Sequence, residues 1–276
     1  TYGTTRPSII GVREFFQLDV KAADAKEAFA ALVRAFKPDV VVNCVAISDL
    51  GQAERESEAA EKVNVPAWLV DALPPTCFLV HLSTDIVYNG RQANAVESQA
   101  DPICVYGRTK LAGEQYIIQH HPNHIILRSA LIYGPAPFLG TSKSSFIQAT
   151  SNSAQSDKPM GVFTDEYRTP VYMWDIVNTI RALIVRRAEW TMEDRVFNMG
   201  GPDRVNRYEM SHLVLQVQQR SSDILQKKLA SEITFGYQRP LDVSMDSSRL
   251  YALLTEVPFT PISAAVAEVL TGKGKL

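Results

Sequence analysis

Apolar positions follow two alternating rhythms along this chain. From Ala25 to Phe36, the residues Ala28, Phe29, Leu32, Val33 and Phe36 recur at helical spacing, which predicts an amphipathic helix stopped by Lys37-Pro38-Asp39. Val40-Val41-Val42-Asn43-Cys44-Val45 follows as a continuous, mostly apolar run of strand length, as expected of a strand buried on both faces. The alternation then repeats. Ser57 to Leu73 reads as a helix with Pro66 as an interior blemish and Pro74-Pro75 as its end. Cys77 to Leu82 reads as a second strand, Tyr106 to His120 as a helix, and Ile125-Ile126-Leu127 as a third strand. Trp174 to Arg187 is a further helix and Val196-Phe197-Asn198 a short strand. Strands alternating with helices of this length imply βαβ units, so the expected fold class is α/β with a parallel sheet. The Ser-rich stretch from Ser142 to Ser156 reads as a mobile connection.

Length and charge narrow the function classes. The chain has 276 residues, enough for one large domain or a nucleotide-binding core with a smaller lobe, and 46% of them are hydrophobic. A formal net charge of -2 gives no basic excess for nucleic acid. Cys44, Cys77 and Cys104 are too scattered for a disulfide framework or a zinc site, and read as reduced buried thiols. That implies a reducing, cytoplasmic setting. No apolar run is long enough to span a membrane. The opening Thr-Tyr-Gly-Thr-Thr-Arg-Pro looks like a strand end running into a loop. The expectation is that the true N-terminus, with any targeting peptide, precedes Thr1.

In open α/β sheets, ligands bind beyond the carboxyl ends of the strands. Asn43-Cys44-Val45-Ala46 leaves one strand there, and Ser83-Thr84-Asp85 leaves the next. All three residues of the second segment also favour ordinary turns. Tyr106-Gly107-Arg108-Thr109-Lys110 opens the following helix, and positions i and i+4 share a face. An ammonium beside a phenol stabilises the phenolate, and such a Tyr can pass a proton to a carbonyl oxygen while hydride reaches the carbon. Alone, Tyr-x-x-x-Lys also fits a surface Tyr and a solvated Lys.

The ordered combination carries more. Ser83-Thr84-Asp85-Ile86-Val87-Tyr88-Asn89-Gly90, then Val105-Tyr106-Gly107-Arg108-Thr109-Lys110-Leu111-Ala112-Gly113-Glu114, then Arg239-Pro240-Leu241-Asp242 with Met245-Asp246, resembles the extended short-chain dehydrogenase/reductase family. The branch it is most similar to holds the dTDP-4-dehydrorhamnose reductases and the methionine adenosyltransferase regulatory β subunits. The resemblance implies a Rossmann-type doubly wound parallel sheet, N-terminally incomplete, with a small C-terminal substrate-binding lobe. It places the core at residues 1–134 and 171–197, and the lobe at 135–170 and 198–276. It implies Thr84, Tyr106 and Lys110 as the catalytic trio and NADP as cofactor, with NAD as the alternative. Asp19 would lie near the adenine, Asn43, Cys44, Val45 and Ala46 would line the cofactor, and Tyr133 would lie near the nicotinamide. Tyr106 and Lys110 would also touch the cofactor, Asp85 would face the substrate, and Asn64 would be structural.

This chain departs from the family in having no Gly-x-Gly-x-x-Gly, the turn that lets backbone approach a pyrophosphate. Arg6 is a candidate for the 2′-phosphate of NADP or a solvated loop residue. Arg239 and Arg168 are candidates for gripping a substrate diphosphate or for structural salt bridges. His120, His121 and His124 at a helix end suit the C-terminal dipole, and no metal is proposed. The expected activity is reduction of a keto group on a nucleotide-activated sugar. The rival readings are a regulatory subunit that binds NADP and the methionine adenosyltransferase catalytic subunit, and an inactive truncated relative. A homodimer is compatible with each.

Overall fold

A computed structural model describes residues 16–135, 145–189 and 195–271. In its first half, α1 (Ala25–Phe36), β1 (Val40–Asn43), α2 (Leu50–Arg55), α3 (Ser57–Asn64), α4 (Ala67–Val70), β2 (Phe78–Thr84), α5 (Val105–His120) and β3 (His124–Ser129) follow one another. Next come β4 (Ile132–Tyr133), α6 (Phe146–Gln155), β5 (Met160–Phe163), β6 (Tyr167–Arg168), β7 (Val171–Tyr172), α7 (Met173–Val185) and β8 (Val196–Met199). The chain closes through β9 (Val205–Asn206), α8 (Arg207–Val217), β10 (Leu225–Lys228), α9 (Ser248–Leu253) and α10 (Ile262–Thr271).

Strands β1, β2, β3 and β8 form one sheet in that order, every pair parallel. Side chains alternate across a strand, so each central strand feeds two cores. Phe78, Val80, Ile125 and Leu127 pack on one face with Ile176 and Leu183 of α7, while Leu79 and Ile126 pack on the other with Val33 of α1 and Ile117 of α5. Helices therefore cover both faces, the doubly wound arrangement. The expected burial on both faces holds for β2 and β3 but not for β1, where Val42 is 39% exposed. Among the described residues β1 has β2 as its sheet neighbour and lies at the edge.

Two expectations change. The helix expected over Ser57–Leu73 ends at Asn64, the chain extends through Val65, and a single turn resumes at Ala67. Pro66 has no N–H to donate and pushes the residue before it out of helical geometry. The Ser-rich connection is also ordered over much of its length. Ser145 accepts from the Gln148 amide in a capping box that starts α6, and Ile147, Thr150 and Ala154 are buried against α8 and its neighbours. Residues 142–144 lie outside the described ones.

The later segments build a smaller assembly beside the sheet. Strands β4 and β7 pair, as do β5 and β10, and β6 pairs antiparallel with β9. Ile147 of α6, Met210 and Val214 of α8, and Ile262, Ala265 and Val266 of α10 share one apolar cluster with Tyr133 and Tyr172.

Candidate active site

The strand β2 ends at Thr84, whose hydroxyl accepts from the Ile86 amide at 3.2 Å and donates to Asp85 at 3.1 Å. This caps a tight turn over Asp85–Val87. The first turn of α5 lies directly against it. A Cβ on Gly107 would sit 2.3 Å from the Ile86 carbonyl oxygen, so only glycine lets the helix approach this closely. That approach sets the Tyr106 phenol beside the Thr84 hydroxyl. Two hydroxyls thus converge where a strand of the parallel sheet ends.

Lys110 follows one turn later and is 1% exposed. Its ammonium does not touch the phenol. It donates to the Leu82 carbonyl at 2.7 Å and lies 3.0 Å from His81 Nε2. The expectation that Lys110 lowers the Tyr106 pKa is therefore corrected for the protein alone. Burial pushes the phenol up to about 12, Asp85 and Cys104 raise it further, and the nearby Thr84 and Arg168 side chains pull it back only partly. Burial likewise brings Lys110 down to about 8, opposed by Glu114 and Cys44.

His81 ties Lys110 to the end of β1. The Val45 amide donates to Asn43 Oδ1 at 3.0 Å, which leaves the Asn43 amide nitrogen to donate to His81 Nδ1 at 3.0 Å. Burial, and Lys110 beside it, hold His81 well below its ordinary pKa, so the ring is neutral. With Nδ1 accepting, the ring proton sits on Nε2 and faces Lys110, a set of bonds that suits the uncharged amine.

The other expected cofactor residues are spread more widely. Cys44 and Val45 are exposed beyond β1, with Cys44 near enough to Lys110 for their charges to interact, and Ala46 is half-buried. The reading of Cys44 as a buried thiol is corrected, since it sits past the strand end at the sheet edge. Cys77 and Cys104 are buried. Asp19 is exposed and accepts from the Lys21 amide at 3.0 Å. Tyr133 is buried with its ring tilted against Tyr172, and both hydroxyls lack a hydrogen-bond partner among the described residues. Arg6 lies outside the described residues. Asn64 bonds the Ile47 backbone and the Thr109 hydroxyl. His121 and His124 meet the carbonyls of Cys77 and His121, and His120 stacks on Tyr116.

Both arginines singled out from sequence meet carboxylates. Arg168 bonds Asp85 at 2.8 Å, both buried. Arg239 grips Glu166 through two nitrogens. Sequence reasoning missed three further features. His81 had no signal beyond its place three residues before Thr84. Glu114, which accepts from Ser83 and pairs with Arg128 at 2.7 Å, stood in the quoted phrase without a role. Arg207 opens α8 and stacks over Phe146 at 4.4 Å.

The chain resembles known proteins on three counts. A family model for the RmlD substrate binding domain matches residues 7–273. The methionine adenosyltransferase 2 subunit beta of Danio rerio is 27% identical over 248 residues, 89% of this chain and 76% of that protein. The dTDP-4-dehydrorhamnose reductase of Mycolicibacterium smegmatis is 32% identical over 174 residues, 61% of this chain but only 50% of the relative's length. In fold, the chain matches the crystal structure of dTDP-4-dehydrorhamnose reductase from Bacillus anthracis in complex with NADP, with a TM-score of 0.80 and 18% identity. That match covers 92% of this chain and 87% of the other.

Proposed function

The chain belongs to the RmlD substrate binding domain family, and from that premise we propose that it is an NADP-dependent reductase acting on the keto group of a nucleotide-activated sugar. The observation that carries this reading is the buried Tyr106 phenol beside Thr84 at the carboxyl end of β2, with Lys110 one turn away. A phenol held near 12 keeps its proton at neutral pH, so Tyr106 is a donor for a ketone oxygen. Thr84 holds the same oxygen. Lys110 and the backbone from Asn43 to Ala46 hold the nicotinamide ribose, and Tyr133 lies toward the nicotinamide. The exposed Cys44-Val45 segment beside Lys110 leaves room for such a ligand. The bound dinucleotide supplies the hydride.

We place the dinucleotide core at residues 1–134 and 171–197 and the substrate lobe at 135–170 and 198–276, with Asp85 and Arg239 facing the sugar nucleotide. Asp19 belongs on the adenine side and Arg6 near the 2′-phosphate. Tyr106→Phe should abolish reduction of a dTDP-4-keto sugar while NADPH affinity changes by less than about twofold, because the phenol moves a proton and Lys110 carries most of the ribose contact. Hydride transfer in this variant at the wild-type rate in stopped flow would refute the assignment.

The long match to methionine adenosyltransferase 2 subunit beta, over 89% of this chain, favours a second reading. In it, the protein binds NADP and a methionine adenosyltransferase catalytic subunit. Capture of that subunit by a protein with no turnover on any nucleotide sugar would select it.

A further inference from the structure

His81 is wholly buried in the middle of β2. Its surroundings in the sheet are apolar, with Leu79 on its own strand and Ile126 opposite it on β3, both without exposure. A polar ring in such a place costs free energy unless its nitrogens are bonded. Both are. The register pairs His81 with Asn43 of β1, so the two side chains leave the sheet on the same face, and Asn43 meets Nδ1 at 3.0 Å. Lys110 meets Nε2 at 3.0 Å from α5. An apolar side chain would serve packing here as well, so the use of the ring lies in what it joins.

It joins two pieces that come from different elements. On one side, Asn43 accepts from the Val45 amide at 3.0 Å, which fixes the course of the backbone just past β1, where Cys44 and Val45 are exposed. On the other side, Lys110 is a long side chain whose rotamer freedom is worth about 2 kcal/mol. Its nitrogen has three positions for partners whether or not it is charged. The Leu82 carbonyl takes one and His81 the second, which leaves the third for a ligand. Both restraints come from β2, and they set the nitrogen in place before anything binds. Burial first, then Lys110 and His124 of β3, keep the ring uncharged, so it does not repel the lysine it holds.

Resting on the reductase reading above, we propose that His81 is a positioning residue for the cofactor. Its rigid ring sets Lys110 and the backbone from Asn43 to Ala46 at a fixed separation, so that both meet one ribose of a nicotinamide dinucleotide together. His81 itself touches no ligand. Its effect on binding passes chiefly through Lys110, the more mobile of the two pieces. The two ring nitrogens can be tested apart. His81→Gln keeps a polar group at the place of Nε2 and with it the contact to Lys110, whereas His81→Asn keeps one only at the place of Nδ1.

The test measures NADPH binding to the full chain by fluorescence titration, with urea melts on the same samples. His81→Leu should weaken NADPH on the order of tenfold, the size of one lost hydrogen bond to a charged group. His81→Gln should recover most of that loss and His81→Asn little of it. In the Lys110→Met background, His81→Leu should change NADPH affinity by less than about twofold, because the lysine it acts through is gone. A merely structural His81 would instead give losses that add in the double variant and follow the fall in urea midpoint. The proposal is overturned if His81→Leu binds NADPH as wild type does, if the losses add, or if wild type binds no dinucleotide. Should His81→Leu fail to fold, His81→Gln against His81→Asn decides, and equal affinities overturn the proposal. Turnover on a nucleotide sugar is scored separately. A protein that binds NADPH through His81 and Lys110 but reduces no sugar upholds this inference and sinks the reaction, and an active reductase whose NADPH affinity ignores His81→Leu does the reverse.

Discussion

At Lys110 two demands meet: the proposed ribose contact calls for an ammonium, whereas burial disfavours the charged form. The folded protein holds this lysine near 8, against an ordinary value of 10.5. Between those values the unfolded chain binds the extra proton, so the Lys110 contribution makes stability rise with pH from about 8 to 10.5. Below pH 8 the full cost is present, on the order of 3 kcal/mol. Lys110→Met should therefore stabilise the protein in urea melts at pH 7 by roughly 1–3 kcal/mol, allowing for the lost hydrogen bonds. The gain should shrink toward pH 10. An equal effect at both pH values would mean that Lys110 is not depressed. The Tyr-x-x-x-Lys spacing shows that the two side chains can share a helix face. It does not show that His81, 29 residues earlier, takes the place beside the lysine.

Helix α5 illustrates the next scale up. It carries the two motif residues at its start and is anchored in its middle by Glu114, which is 1% exposed and bonded to Arg128 of β3 and Ser83 of β2. This fixes the helix against the same strand that delivers Thr84. Removing one partner of a buried ion pair leaves the other charge unpaired, at a cost of about 3–5 kcal/mol. Glu114→Gln should lower stability by roughly that amount, whereas the apolar double variant Glu114→Leu with Arg128→Met should recover much of it. Chemical denaturation of the three proteins is the check, and a double variant no better than the single one would contradict it. The helix was legible from Tyr106 to His120 because its ends and length are local properties. Its anchoring was not, since the partners of Glu114 lie on strands far away in the chain. The same reason hid α6, where a Ser-rich run looked like a linker and became a capped helix once α8 offered it an apolar partner.

Across the whole molecule, Arg168 of β6 reaches Asp85 at the end of β2 and so joins the smaller assembly to the central sheet. Arg168→Met would leave a carboxylate that is 3% exposed without its cation. Amide hydrogen exchange should quicken in β6, β9 and the turn after Thr84, while β2 and β3 remain protected in their core. Uniform acceleration everywhere would mean that the pair serves global stability and does not act as a local tie.

Sequence by itself determined the alternation of strands and helices, the parallel α/β class, and the order Ser83-Thr84-Asp85 before Tyr106 and Lys110. These depend on periodicity and on spacing within one helix, which neighbours in the chain settle. Tertiary structure decided which charges are spent and which are free. Arg168 and Arg239 stood out in the sequence, yet both meet carboxylates, and Arg207, which did not stand out, has no ion-pair partner among the described residues. Ion pairing and burial join residues far apart in the chain, Arg168 and Asp85 by 83 positions, and no local pattern encodes such a partner.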